Sequence, residues 1–282
     1  MEIEQGTVEA NGINFGVLTC GTEGPLALCL HGFPDSAQTW RHLLPALAAA
    51  GLRAVAPWSR GYAPTAVPAD GDYGITTLAA DASALHEALG GGADAVLVGH
   101  DWGAMTAYAA GAAAPDRWRR LVAMAVPPPA VASAAFLHYA QLKRSFYIFL
   151  FQTGLAELVV PADDLAFIDG LWRDWSPSYD ATADLLDVKA SLREPANLGA
   201  AIGYYRAMFR GQGMSDASPN QPTLYLHGDD DGAFGVEGIA GAADHLSAES
   251  RVDVLPGVGH FLHLERPDAV NQLIVDWLTT RG

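Results

Sequence analysis

Gly99-His100-Asp101-Trp102-Gly103 is the stretch that decides the fold, because it stands between a short apolar run and a helical pattern. The preceding run, Ala95–Val98, is typical of a buried strand, and Gly103–Ala114 carries small residues at helical spacing. Glycines on both sides permit a tight turn that lifts the central side chain above the carboxyl edge of a sheet. The pattern Gly-x-nucleophile-x-Gly therefore indicates a strand–nucleophile–helix turn with the Asp101 carboxylate at its centre.

Short apolar runs alternate with longer helical patterns on both sides of this turn. The runs predict strands at Leu26–Leu30, Leu52–Ala56, Ala95–Val98, Leu121–Val126, Thr223–Leu226 and Arg251–Leu255. The longer patterns predict helices at Trp40–Ala50, Leu78–Leu89, Gly103–Ala114 and Ala269–Thr279. This alternation is typical of an α/β protein, in which right-handed crossovers build a mostly parallel, doubly wound sheet with helices on both faces.

The alternation breaks after Pro127-Pro128-Pro129. From Ala130 to about Ser218 the sequence has helical patterns rich in aromatic residues and no convincing buried strand. Strand patterns resume only at Thr223. We therefore predict a core made of residues 1–126 and 219–282, interrupted by a helical cap of residues 127–218.

The composition argues against several classes of partner. The chain has 282 residues with 16 Lys and Arg against 32 Asp and Glu, a net charge of −16 and an isoelectric point near 4.7. Nucleic acids and anionic membranes bind proteins with a surplus of positive charge. This chain lacks such a surplus, so we expect neither as a partner. No apolar run approaches the ~20 residues of a membrane span, and the acidic start of the chain lacks a secretory signal pattern. Cys29 lies in a predicted buried strand, so we expect a core thiol rather than a disulfide with Cys20, consistent with a cytoplasmic protein.

Two further segments supply groups that complement a nucleophile. His31-Gly32-Phe33-Pro34 follows the first predicted strand and can present the Phe33 backbone N–H, which together with the Trp102 N–H gives two converging donors. Downstream, Asp229-Asp230-Asp231-Gly232 and Gly257-Val258-Gly259-His260-Phe261 both follow strands. The chain order is then nucleophile, acid, histidine, and parallel strands bring all three to one edge of the sheet.

These segments identify a resemblance that covers nearly the whole chain. The HGFP segment, Ser59-Arg60-Gly61-Tyr62, GHDWG and GHFLHLERP resemble α/β-hydrolase-fold enzymes with an aspartate nucleophile, above all the soluble epoxide hydrolases. The resemblance implies an α/β-hydrolase fold with an inserted helical cap, and an enzyme that converts an epoxide to a vicinal diol through a covalent ester on Asp101. Asp231 is favoured as the acid because Gly-x-x-Asp is the family pattern, with Asp230 as the alternative, and His260 is the base.

The resemblance also implies two lid tyrosines that donate to the epoxide oxygen. Tyr147, four residues before Phe151-Gln152, matches the context of the first, and Tyr205, before Arg206, matches the second; Tyr204 is a rival. The predicted oxyanion hole consists of the Phe33 and Trp102 N–H groups. The predicted substrate contacts are Phe33, Trp102, Phe151 and Phe261.

Two alternative functions remain open from the sequence. A haloalkane or haloacid dehalogenase uses the same aspartate nucleophile, and Trp102 is compatible with halide binding. Against it, Phe33 stands where haloalkane dehalogenases usually carry a polar residue, and Trp102 stands where haloacetate dehalogenases carry Arg. A hydrolase-fold binding protein without catalysis is the more remote alternative.

The expected partners are a small apolar epoxide substrate and water. The chain is expected to be a monomer or a homodimer. The resemblance implies no metal and no organic cofactor, and Asp229-Asp230-Asp231 lacks the alternating spacing of a calcium loop. His100 is expected to pack in the turn, His31 to fix its own loop, and His263 to be structural.

Overall fold

Eight strands form one sheet in the described part of the computed structural model, which comprises residues 1–212 and 218–280. The strands are β1 (Glu4–Ala10), β2 (Ile13–Cys20), β3 (Leu26–Leu30), β4 (Arg53–Pro57), β5 (Val96–His100), β6 (Arg120–Met124), β7 (Thr223–Gly228) and β8 (Arg251–Leu255). Their order across the sheet is β1-β2-β4-β3-β5-β6-β7-β8. The pairs β1/β2 and β2/β4 are antiparallel and the others are parallel, which confirms the predicted mostly parallel sheet.

Twelve α-helices accompany these strands within the described residues. They are α1 (Leu43–Ala49), α2 (Ile75–Ala88), α3 (Trp102–Ala113), α4 (Pro129–Phe136), α5 (Tyr139–Arg144), α6 (Phe146–Leu150), α7 (Ala156–Val159), α8 (Ala162–Trp175), α9 (Asp184–Leu192), α10 (Pro195–Ala207), α11 (Leu262–Glu265) and α12 (Pro267–Thr279). Shorter helical turns occupy Ala37–Arg41, Pro115–Arg117, Met208–Gln212, Val236–Ile239 and Ala242–His245. None of the helices in this part of the chain has the length and apolar run that a bilayer crossing requires.

The direction of the crossovers decides which edge of the sheet can hold a ligand. The chain steps from β3 to β4 one way across the sheet and from β5 to β6 the other way, so α1 and α3 cover opposite faces. Helix α2 packs against α3, and α12 packs against α1. The reversal lies between the neighbouring strands β3 and β5. A crevice forms outside the carboxyl ends of strands at such a reversal, and the loops there carry Phe33 and Asp101.

The centre of the sheet is buried on both faces. In the parallel register Leu28 lies opposite Leu97, and Val98 lies opposite both Cys29 and Val122, and all five side chains are fully buried. Burying each Val or Leu side chain of this kind stabilises the folded state by about 1.5–3 kcal/mol. Both cysteines are buried free thiols, as predicted.

The antiparallel hairpin of β1 and β2 was not predicted from the sequence. Asn11 and Gly12 form its turn with φ angles of 48° and 71°. An Asn-Gly pair between strands is a strong signal of such a turn, because both central residues need positive φ. β1 is exposed along most of its length and has little apolar alternation, so the strand pattern is weak there.

The segment between β6 and β7 contains helices α4 to α10 and the turn Met208–Gln212, and no strand among its described residues. This agrees with the predicted content of residues 127–218, of which 213–217 lie outside the described residues. The boundaries of the cap stay a prediction.

The glycine at position 103 is required by a close approach between α3 and β3. A Cβ there would overlap the backbone carbonyl of Leu30. We expect Gly103→Ala to lower the free energy of unfolding by at least about 3 kcal/mol in urea denaturation, because backbone cannot move aside as a side chain can.

Gly199, inside α10, is the matched control for this substitution. A Cβ at Gly199 meets nothing within 4 Å, so Gly199→Ala should raise stability by about 0.5–1 kcal/mol through its better helix propensity. A Gly103→Ala protein as stable as the unmodified chain would contradict the close approach.

Candidate active site

Asp101 occupies a strained backbone conformation between β5 and α3. Its φ is 53° and its ψ is −117°, a region that non-glycine residues rarely adopt. Such a residue costs on the order of 1–3 kcal/mol and persists where the surrounding structure holds it. The backbone N–H of Asp101 donates to the Met124 carbonyl of β6 at 3.2 Å, which ties the turn to the sheet. The result is a carboxylate raised above the sheet edge.

The carboxylate of Asp101 is held by backbone donors. The Phe33 N–H donates to Oδ1 at 2.8 Å, and the Trp102 N–H at the start of α3 also favours the charged carboxylate. A Cβ at position 32 would overlap the Asp101 side chain, so glycine is needed there for the loop after β3 to come this close. Burial raises the pKa of Asp101, whereas nearby His260 and these two donors oppose the increase.

His260 and Asp231 form a buried pair beside this carboxylate. His260 Nδ1 lies 2.9 Å from Asp231 Oδ2, and the other oxygen of Asp231 accepts the N–H groups of Ala233 and Phe234 at 2.7 and 3.0 Å. His260 Nε2 lies 3.8 Å from Asp101 Oδ2, beyond hydrogen-bond distance, and has no partner among the described residues. Burial alone lowers the pKa of His260, but the charge and hydrogen bond of Asp231, together with the charges of Asp101 and Asp35, outweigh burial, and the pKa is raised. Asp230, the alternative acid, is exposed.

The end of helix α8 positions both loops that carry this pair. The carbonyl of Trp175 accepts the N–H of Gly232 at 3.1 Å and the N–H of His260 at 3.0 Å. The next residue, Ser176, accepts the Phe261 N–H on its hydroxyl at 3.0 Å. One turn of the segment between β6 and β7 therefore sets the distance between the acid loop and the histidine loop.

A cavity of about 460 Å³ opens above Asp101 and His260. Most of its wall is apolar; six of the apolar lining residues are Met105, Val126, Phe136, Ile148, Met208 and Phe234. Trp102, Tyr147 and Tyr205 complete the wall near the carboxylate. A cavity of this size and character fits a mid-sized apolar molecule.

Both predicted lid tyrosines line the cavity. The ring centroids of Tyr147 and Tyr205 are 5.5 Å apart, and both residues are buried. Burial raises the pKa of each phenol, so both hydroxyls stay protonated at neutral pH. The Tyr205 hydroxyl has no hydrogen-bond partner within the described residues. Tyr204 points its hydroxyl elsewhere and donates to the Arg60 carbonyl at 2.8 Å, so it is not available to the cavity.

Of the predicted substrate contacts, only Trp102 lines the cavity. Phe33 and Phe151 are fully buried behind the tyrosines, with Phe33 5.1 Å and Phe151 5.2 Å from the Tyr205 ring. Phe261 stacks on Trp172 with ring centroids 3.5 Å apart. These three phenylalanines do not line the cavity, and their contact with substrate stays a prediction. Their rings instead pack around the groups that do line the cavity.

Several lining residues were not identified from the sequence. Gln141 and Ser145 are buried polar residues in the wall, and Gln141 donates to the Ser145 hydroxyl at 2.9 Å and to the Ala233 carbonyl at 2.8 Å. Phe136 and Phe209 line the wall as well. The only signal in the sequence was the high aromatic content between Ala130 and Ser218. That content does not distinguish rings that line a cavity from rings that pack inside the segment.

The remaining histidines near the site are neutral. Burial lowers the pKa of His31 to about 4 and of His263 to about 3, and it lowers the pKa of His100 well below the ordinary value. His31 lies 2.8 Å from the Gly32 carbonyl through Nδ1 and accepts the Ser59 N–H on Nε2 at 2.9 Å. These contacts support the prediction that His31 fixes its own loop.

Comparison with known proteins gives matches along almost the whole chain. A family model described as alpha/beta hydrolase fold matches residues 25–267. Epoxide hydrolase 3 of Xenopus tropicalis is 31% identical over 284 residues, covering 95% of this chain and 75% of that protein. Epoxide hydrolase 4 of Mus musculus is 30% identical over 277 residues, covering 95% of this chain and 77% of that protein. A solved epoxide hydrolase structure from an endophytic Streptomyces has a TM-score of 0.84 and 30% identity, covering 98% of this chain and 95% of that one.

Replacing Asp231 by Asn should lower the pKa of His260, because it removes the carboxylate charge that raises this pKa. A pH titration of the ring nitrogens by NMR measures the shift. Asp230→Asn is the matched control, since Asp230 is exposed, and should leave the pKa of His260 unchanged. Equal values in Asp231→Asn and the unmodified chain would contradict the pairing.

The same pair gives a pH dependence of stability with a defined sign. The pKa of His260 is higher in the folded chain than its ordinary value of 6.5, so folding favours the protonated ring. Its contribution to the free energy of unfolding is therefore full below about pH 6.5 and is lost as the pH rises through the raised pKa. Asp231→Asn should flatten this part of the stability profile in urea denaturation.

Proposed function

Because this chain belongs to the epoxide hydrolase family of the α/β-hydrolase fold, we propose that it opens an epoxide to a vicinal diol through an ester on Asp101. The observation that carries the proposal is the convergence on one largely apolar cavity of a carboxylate, two protonated phenols and a His–Asp pair. We assign residues 127–218 as the cap, since Tyr147 and Tyr205 both belong to this segment. Because the wall of the cavity is mostly apolar, we infer that the epoxide is mid-sized and largely apolar.

In the first half-reaction Asp101 is the nucleophile. Its free oxygen attacks a ring carbon, and the carbon–oxygen bond of the ring breaks on the opposite side. The electron pair goes to the ring oxygen, which takes a proton from Tyr147 or Tyr205. General-acid help of this kind is typically worth ~10²–10⁴ in rate. Buried phenols suit the task because they are protonated at neutral pH yet can protonate an alkoxide.

In the second half-reaction His260 is the base. Its Nε2, which has no partner among the described residues, takes a proton from a water molecule that attacks the carbonyl carbon of the Asp101 ester. The ester bond then breaks, and the leaving diol oxygen takes the proton back from His260. The proton of the regenerated Asp101 carboxyl group returns to the tyrosinate, which restores the resting enzyme. Asp231 holds the ring in the required tautomer through Nδ1.

The Phe33 and Trp102 N–H groups are assigned as the oxyanion hole of this second step. Negative charge develops on the Asp101 carboxyl oxygen, and the Phe33 N–H already lies 2.8 Å from that group in the resting structure. Donors that are in place before the reaction lose no energy to reorganisation, and removing one typically costs about 3–4 kcal/mol of transition-state stabilisation.

His260→Gln should trap the ester, since alkylation does not need the base but hydrolysis does. Intact-protein mass spectrometry after incubation with styrene oxide should show one added substrate mass, and peptide mapping should locate it on Asp101. Asp101→Asn is the control and should remain unmodified. An adduct elsewhere, or none, would sink the covalent mechanism.

The two lid tyrosines are tested by removing single hydroxyls. Tyr147→Phe and Tyr205→Phe should each lower the rate of epoxide opening by about 10²-fold or more, because a donor to the ring oxygen is lost. Tyr204→Phe is the matched control, since its hydroxyl bonds to the Arg60 carbonyl away from the cavity, and should retain most of the activity.

The same variants separate the proposal from the dehalogenase alternative. A halide leaving group needs no proton, so the tyrosine hydroxyls would matter little for carbon–halogen cleavage. Halide release from haloalkanes that is unaffected in Tyr147→Phe, without diol formation from epoxides in the unmodified chain, would favour the dehalogenase.

A further inference from the structure

Three buried polar side chains converge behind the catalytic residues and are not used by the proposed reaction. Asp35 follows β3, His100 ends β5 and His263 lies in α11, and none is more than 2% exposed. One ligand atom from each lies within 4.8 Å of the ligand atoms of the other two. Asp35 Oδ2, His100 Nδ1 and His263 Nδ1 have no hydrogen-bond partner among the described residues.

The hydrogen bonds of the two rings determine what faces this cluster. His100 Nε2 lies 3.0 Å from the backbone carbonyl of His260, which can only accept, so Nε2 carries the proton. In the neutral ring, Nδ1 then presents a lone pair. His263 Nε2 lies 2.5 Å from the Thr39 hydroxyl, which can accept its proton and leave the lone pair on Nδ1 as well. Both rings are thereby oriented through Nε2, with Nδ1 free.

The third member is a carboxyl group without a counterion, and burial raises its pKa to about 8. Asp35 Oδ1 accepts the Ser36 N–H at 2.7 Å, and Oδ2 has no donor within the described residues. No ion pair joins Asp35 to any basic side chain in this part of the chain. Polar atoms that converge in a buried site without partners are unfavourable unless a proton, a cation or a water lies between them.

We propose that Asp35, His100 and His263 form a binding site for one divalent transition-metal ion of the zinc class. Two imidazole nitrogens and one carboxylate oxygen are a donor set that such ions prefer, and the carboxylate offsets part of the charge. The remaining ring nitrogens are hydrogen-bonded to a carbonyl and a hydroxyl, the usual support for metal-binding histidines. Metal–ligand bonds of about 2.0–2.2 Å require the three side chains to rotate inward. None of the three lines the cavity, and the site does not depend on the proposed reaction.

Metal analysis of the purified full chain tests the site directly. We expect protein produced in zinc- or cobalt-supplemented medium to retain about one equivalent of metal after desalting. The cobalt form should show the visible absorption of Co²⁺ bound to nitrogen ligands. Zn²⁺ should also raise the Tm, because a ligand that binds only the folded chain stabilises it.

Variants assign the metal to these residues. His263→Gln and Asp35→Asn should each lose the retained metal and the zinc-dependent rise in Tm, whereas circular dichroism checks that they fold. His86→Gln, which replaces a buried histidine outside the cluster, is the control and should keep the metal. His260→Gln should also keep it, which separates this site from a metal held by Asp101, Asp231 and His260.

Two outcomes would overturn the proposal. If the unmodified chain retains neither zinc nor cobalt, a proton on Asp35 or a buried water joins the three side chains and no metal site exists. If metal persists in the double variant of Asp35 and His263, it binds elsewhere. Both outcomes leave the epoxide reaction untouched, because no activity enters the measurement.

Discussion

A non-glycine residue at a positive φ joins β5 to α3, and the fold holds Asp101 there from both sides. On one side its N–H is bound to the carbonyl of Met124; on the other, α3 begins against β3 with no room for a side chain at Gly103. The strain of about 1–3 kcal/mol is small beside the burial of the central strands. It is the reason that a carboxylate emerges at the sheet edge, in reach of the Phe33 N–H.

The histidine and its acid depend on a different segment. Their loops follow β8 and β7, and both donate a backbone N–H to the single carbonyl of Trp175 at the end of α8. A carbonyl oxygen has two lone pairs and can serve both. The sheet and the inserted helices therefore both determine the geometry of the His260–Asp231 pair. The insertion supplies both the tyrosines of the cavity and the anchor for the loops opposite them.

Burial of side chains has opposite consequences at Asp101 and at the neighbouring cluster of Asp35, His100 and His263. Around Asp101 it keeps the tyrosines protonated and strengthens the donors aimed at the carboxylate. Around Asp35, His100 and His263 it leaves acceptors without partners, which is costly. The two clusters meet at His100, which donates to the His260 carbonyl and whose ring centroid lies 4.7 Å from that of the His260 ring. The same burial thus supports the proposed chemistry at one site and the proposed cation at the other.

The order of strands and helices, the turn at Asp101 and the chain order Asp101, Asp231, His260 were all readable in the sequence. The six predicted strands recur with ends shifted by no more than two residues. Buried runs, glycine pairs and helical spacing are local properties, so the sequence carries them directly. β1 was missed because an exposed edge has little apolar pattern, whereas β2 is mostly buried and was missed with its hairpin partner.

Which aromatic side chains face the cavity was decided by tertiary structure alone. Tyr205 lines it and its neighbour Tyr204 does not, and Phe33, Phe151 and Phe261 pack behind it. The convergence of Asp35, His100 and His263, which are far apart in the chain, was equally out of reach. A sequence records that a side chain is apolar or polar, but the direction it takes depends on what the rest of the chain packs against it.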